Sequence, residues 1–167
     1  MANTVHGVII TDRMSGSYNG ADLVSVMFYK SSNPADIDNG NVVLVGDLVE
    51  GREIFKGTAP LANSELKDIV IIANPEIMYD PSRDLADYYV EAGTPARAFR
   101  LRSGDVFSVN AEALNYSGSI AVGNIVELMA GTKLNVVASA TGSTTTIGKV
   151  IDTTVINGVT YYGIKVD

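Results

Sequence analysis

The apolar positions of this chain fall in short runs separated by glycine and small polar residues, a spacing that suits strands and turns better than helices. One phrase is written three times: a glycine, a small polar residue, then an apolar run. It occurs as Gly40-Asn41-Val42-Val43-Leu44-Val45, as Gly104-Asp105-Val106-Phe107-Ser108-Val109 and as Gly123-Asn124-Ile125-Val126-Glu127-Leu128. In each, glycine offers the positive φ of a tight turn, and the β-branched or aromatic residues that follow suit a half-buried pleated surface. The three copies share no period, so the phrase marks strand entries and is no sign of a repeat architecture.

Further strands are expected at Leu23–Tyr29, Val42–Val49, Glu53–Lys56, Ala98–Leu101, Asp105–Val109, Ile125–Leu128, Leu134–Ala138, Ile147–Asp152, Val155–Ile156 and Tyr161–Val166. Glu50-Gly51 predicts a hairpin between the second and third of these. Asn157-Gly158 is the strongest hairpin signal, a type I′ turn. Asp68–Ala73 is a continuous apolar run, consistent with a strand buried on both faces. Val5–Ile10 reads as a strand in an N-terminal arm of residues 1–22, set off by the turn-forming stretch Ser15-Gly16-Ser17 and Asn19-Gly20. One α-helix is expected over 81–92, inside an insertion near 74–95. Asp80 would cap it, Pro81 would open it and Gly93 would close it. Leu85, Tyr88, Tyr89 and Ala92 would form its buried face, with Asp80, Asp84, Asp87 and Glu91 as a solvated stripe. The predicted fold class is mainly β: a small β-barrel or β-sandwich, residues 23–167, with one short helix and an N-terminal arm.

Composition supports a single domain of this kind. The chain has 167 residues, no cysteine and no tryptophan, so packing and backbone pairing must hold it together. A net charge of −7 argues against a nucleic-acid partner. The densest basic stretch, Arg97 to Arg102, alternates Arg100 and Arg102 with Phe99 and Leu101, which describes a strand with one solvated face. No run is long enough to span a membrane, and the N-terminus lacks the layout of a signal peptide, so no membrane partner is expected.

Residues that carry chemistry are sparse. His6 is the single histidine, too few for a zinc site and poorly placed as a triad base. Asp36-Ile37-Asp38-Asn39-Gly40 lacks the sixth-position glycine and twelfth-position glutamate of a calcium loop, and reads as a turn. Asp105, Glu112 and Glu127 could supply a carboxylate pair, but glycoside hydrolysis needs two of them across a sugar-binding cleft. No phosphate loop is present. Of the adjacent Tyr161 and Tyr162, one is expected in the core and one at the surface. Neither an enzyme nor a bound cofactor or metal is expected.

The C-terminal half carries a resemblance. Ala98–Val109 is followed by Ala121–Leu128, Gly131-Thr132-Lys133-Leu134, Gly148-Lys149-Val150-Ile151 and the closing Tyr161-Tyr162-Gly163-Ile164-Lys165-Val166. With Pro75-Glu76-Ile77-Met78-Tyr79-Asp80, these phrases resemble the capsid decoration proteins and other minor structural proteins of tailed-bacteriophage heads, over most of residues 40–167. The resemblance implies a cement protein on the outer face of the virion, made in the bacterial host cytoplasm. It would bind the major capsid protein and form a homo-oligomer, a trimer being common in that group. Partner-binding residues would then lie in the arm, at Val5, His6, Val8, Ile9 and Ile10, adding a strand to a neighbour. A β-sandwich module for cell-surface carbohydrate on the virion is the alternative, and a small hydrolase is a third reading.

Overall fold

A computed structural model describes residues 5–167. Twelve strands are formed among them: β1 (Leu23–Lys30), β2 (Asn33–Pro34), β3 (Val42–Leu48), β4 (Phe55–Thr58), β5 (Ile69–Ile72), β6 (Ala96–Arg100), β7 (Val106–Asn110), β8 (Leu114–Tyr116), β9 (Ile125–Glu127), β10 (Leu134–Val137), β11 (Thr146–Ile156) and β12 (Val159–Val166). They make two sheets of six. The fold is mainly β, as the alternation of the sequence predicts.

The first sheet closes on itself. Its order is β2-β1-β4-β3-β5-β6, and β6 returns to pair antiparallel with β1, Leu23 opposite Phe99 and Val26 opposite Ala96. Five strands thus form a ring, with one parallel contact, β1 to β4. The interior holds Val24, Val26, Phe28, Val43, Val70, Ile72, Ala96 and Ala98. One end is plugged by Ile37 and Val90, two buried loop residues that exchange backbone hydrogen bonds of 3.0 and 2.8 Å.

The second sheet, β7-β12-β11-β9-β10-β8, curls across the outside of that ring. Between the two lies a larger core built from Phe107, Val109, Leu114, Val126, Leu128, Leu134, Ile147 and Ile164 on one side. Val42, Ile69, Ile71, Phe99 and Leu101 supply the other. β5 is therefore a shared wall, with Ile69 and Ile71 in the inter-sheet core and Val70 and Ile72 inside the ring, all four fully buried. This is the two-faced burial expected of its unbroken apolar run.

The three glycine phrases open β3, β7 and β9, and Gly40, Gly104 and Gly123 have φ of 79°, 91° and 95°. Asn157 and Gly158 both take positive φ at the β11–β12 turn, as a type I′ hairpin requires. The two strands expected at Ile147–Asp152 and Val155–Ile156 are one, β11, continuous through a bulge between Val150 and Asp152.

Two expectations are corrected. No α-helix forms over 81–92; the segment holds a single 3-10 turn, Leu85–Asp87, and is extended again at Tyr88. Short polar side chains take the local backbone donors first. Asp80 accepts from the Ser82 N–H and hydroxyl, while Asp84 and Asp87 close a capping box around the one turn. Leu85, placed on the buried face of that helix, is instead about half exposed. The second correction concerns the arm. Its residues 1–4 lie outside the described residues, but from Gly7 onward it is built into the body, with Val8, Ile9 and Met14 buried. Ile9 and Met14 belong to the inter-sheet core.

Candidate functional site

The sequence-predicted partner residues are brought together, and most of them are already occupied. Val5–Ile10 runs beside β7, bridged at Ile9 and Val109. The Ile10 N–H donates to Ser108 O at 2.9 Å and the Asn110 N–H to Val8 O at 3.0 Å. Asn110, itself buried, clips the segment with its side chain: Oδ1 accepts from the Val8 N–H at 2.9 Å and Nδ2 donates to His6 O at 3.1 Å. On the other side the His6 N–H donates to Ala86 O at 2.8 Å. His6 Nδ1 lies 2.7 Å from Asp38 Oδ1, Asp38 Oδ2 accepts from the Gly7 N–H at 3.1 Å, and the imidazole stacks on Tyr89. Asp38, considered above within a calcium-loop spacing, serves as the anchor of this segment.

The strand pairing expected with a neighbour is thus made within the chain. Val8 and Ile9 point into the chain's own interior, Ile10 and His6 are half-buried, and Val5 alone of the five is exposed. Val5 stands on the rim of a cavity of about 250 Å³. Leu85 and Ala86 form a second side and Ile156 and Val159, at the tip of the β11–β12 hairpin, a third. Val8 and Tyr161 line it, both buried. Val5, Leu85 and Val159 leave roughly half of their surface in water around this cavity, at 50%, 51% and 41% exposure. The lining is mainly apolar, and its edges come from three stretches distant in sequence. Sequence reasoning found the first of them. The second was hidden by the helix reading of 81–92, and the third by the strength of Asn157-Gly158 as a mere turn.

No family model, curated protein or solved structure matches the chain. The resemblance to decoration proteins accordingly rests on the phrases quoted above.

The other groups singled out in the sequence have local duties. Glu127 is buried on β9. Burial alone would push its carboxyl up, but hydrogen bonds from the Thr144 hydroxyl, the Thr141 N–H and hydroxyl, and the Asn135 amide outweigh that and hold it below the usual glutamate value. Glu127 therefore ties the polar loop 141–144 to the sheet. Asp105 accepts from the Arg102 N–H at 2.9 Å and closes the turn before β7, and Glu112 is exposed on a 3-10 turn. Arg102, read as solvated, pairs through Nε at 2.5 Å with Asp22, a carboxylate buried almost completely. Of the adjacent pair Tyr161 is buried, and Tyr162 is half-buried, one side of it packed against the inter-sheet core. No group of three or more metal-ligating side chains is assembled among the described residues. Among the described residues no helix is long and apolar enough to cross a membrane.

Proposed function

We propose that this chain is a structural protein of a tailed-phage particle, a decoration protein that seats on the outside of the head and ties neighbouring major capsid subunits together. The observation that carries the reading is the apolar rim around Val5, Leu85 and Val159, set on a body whose own core is complete without it. Exposed apolar residues gathered around a concavity, with polar groups beyond, are the usual mark of a protein-binding surface. Rigidity supports the same reading. The closed ring, the second sheet and the clipped N-terminal segment hold that rim in place before any partner arrives, which lowers the ordering cost of binding. The phage-head resemblance of residues 40–167 supplies the identity of the partner. The apolar rim replaces the arm as the contacting surface, because Val8 and Ile9 are spent inside the fold.

The test is co-sedimentation of the purified chain with expanded heads stripped of decoration, followed by a heat-stability assay of the heads. Saturable binding that raises the temperature of head disruption is expected. Leu85→Asp, at an exposed position, is expected to weaken binding by about tenfold or more while leaving the melting temperature of the free chain unchanged. Absence of binding to such heads, or binding indifferent to Leu85→Asp, overturns the reading.

A further inference from the structure

The same 74–94 segment also lines a second cleft, of about 300 Å³, that the head-binding reading leaves without a role. Tyr79, Tyr88 and Tyr89 line it, three of the eight tyrosines in the chain. Two of these walls are fixed from behind. The Tyr88 hydroxyl accepts a hydrogen bond from Asn74 Nδ2 at 2.5 Å, and the Tyr89 ring is stacked on the His6 imidazole with centroids 4.8 Å apart. Tyr79 is the movable edge, almost fully exposed at 97%. Its ring face is free for a flat, partly apolar group to be laid on it.

The polar lining is mixed in sign and in hydrogen-bonding sense. Arg83 offers fixed donors, and Asp80, Asp87 and Glu91 offer acceptors, Asp80 already accepting from the Ser82 N–H and hydroxyl. One Asp87 oxygen, Oδ2, already accepts from the Asp84 N–H at 2.9 Å, while the Glu91 carboxylate has no partner among the described residues. A bare ammonium would suit the acids but meet Arg83 in the same cleft. A neutral ligand whose adjacent hydroxyls both donate and accept, and whose C–H face can lie on an aromatic ring, satisfies every wall at once. The volume falls at the small end of ordinary ligand sites.

We propose that this cleft binds a saccharide, a neutral pyranose unit at the end or edge of a surface glycan, with Tyr79 as the stacking platform and Arg83 and Glu91 as the groups that read its hydroxyls. The proposal is independent of head binding, because the rim around Val5 and Leu85 is a different surface. A phage-borne chain with both would face the head with one and hold a sugar with the other.

The experiment titrates the full chain with maltotriose, cellotriose, chitotriose and mannotriose, read by calorimetry and by saturation-transfer NMR. At least one trisaccharide is expected to bind with a Kd of about 1 mM or tighter. Tyr79→Ala and Glu91→Gln are each expected to weaken that binding about tenfold or more with the melting temperature unchanged, both positions being exposed. Tyr18→Ala, at another exposed tyrosine, is expected to leave it intact. Failure of all four sugars to bind overturns the proposal. So does binding that survives Tyr79→Ala, or binding of tetralysine in place of the sugars. Leu85→Asp separates the two readings, since it is expected to weaken head binding and retain the saccharide.

Discussion

The interior of the five-stranded ring and the core between the sheets are packed side by side, share a wall, and are filled on different rules. Inside the ring the residues are small or β-branched: Val24, Val26, Val43, Val70, Ala96 and Ala98, with Phe28 near the end of β1. Between the sheets valine and alanine are joined by larger side chains: Phe99, Phe107, Leu101, Leu114, Leu128 and Leu134, with Ile9 and Met14 brought in from the N-terminal segment. A ring of five strands encloses little volume, and alanine must stand where two strands approach most closely. Two sheets facing each other stand about 10 Å apart and need long side chains to fill the gap. The same β-rich sequence therefore holds one core limited by crowding and another limited by filling.

That difference can be broken at its extremes. Phe107→Ala, emptying the wider core at a fully buried position, is expected to cost about 3–5 kcal/mol by urea denaturation. Ala98→Leu, at an equally buried position in the ring, reverses the logic: adding atoms is expected to cost about 1–3 kcal/mol through overpacking. If Ala98→Leu stabilised the protein, the ring would hold unfilled space and the contrast would fail.

The polar counterpart of the comparison is Glu127, on the second sheet. Its folded-state carboxyl lies below the ordinary value, so its stabilisation is complete above the usual glutamate range and is lost as pH falls through the folded-state value. Glu127→Gln leaves donors from Thr141 and Thr144 competing for one oxygen, and is expected to cost about 1–3 kcal/mol at neutral pH. The deficit should persist in mild acid and shrink only as pH falls below the usual glutamate range, where the parent loses its carboxylate too. A deficit that stayed constant with pH would assign the loss to shape and not to charge.

The finest test uses the shared wall. Ile71→Val trims the inter-sheet core and Ile72→Val the ring, at about 1 kcal/mol each. If the cores are independent, the double variant should cost the sum to within about 0.5 kcal/mol. A larger departure would mean that β5 shifts as a body and couples them.

Much of this arrangement was legible because strands report themselves through alternation. β1, β3, β5, β7 and β12 follow from their apolar runs, and the double burial of β5 from its unbroken one. β8 and β2 did not announce themselves. β8 is three residues long, and β2 ends in a proline. The helix expected over 81–92 shows the limit of periodicity. Leu85, Tyr88, Tyr89 and Ala92 have helical spacing, yet Asp80, Ser82, Asp84 and Asp87 use their side chains to hold the local backbone in turns. At Val5–Ile10 the sequence displays an apolar segment, and the structure bridges it to β7 at Ile9. Whose sheet it joined was not legible, since alternation carries no information on the partner. The buried clip, Asn110, gave no sequence signal beyond being a residue that suits turns.

The ring and the N-terminal segment have a consequence for crowding. Copies of any β-rich protein held at high density risk zipping together along unpaired strand edges. In the first sheet the ring leaves only two-residue β2, ending in Pro34, unclosed. In the second, residues 8–10 hydrogen-bond along the free side of β7 and the β8 edge spans three residues, which leaves the distal part of β11, residues 151–156, unpaired on its β9 side. Concentrated on a surface or within a small volume, such a chain offers its neighbours short edges, and the distal part of β11 is where a template for fibre growth would have to start.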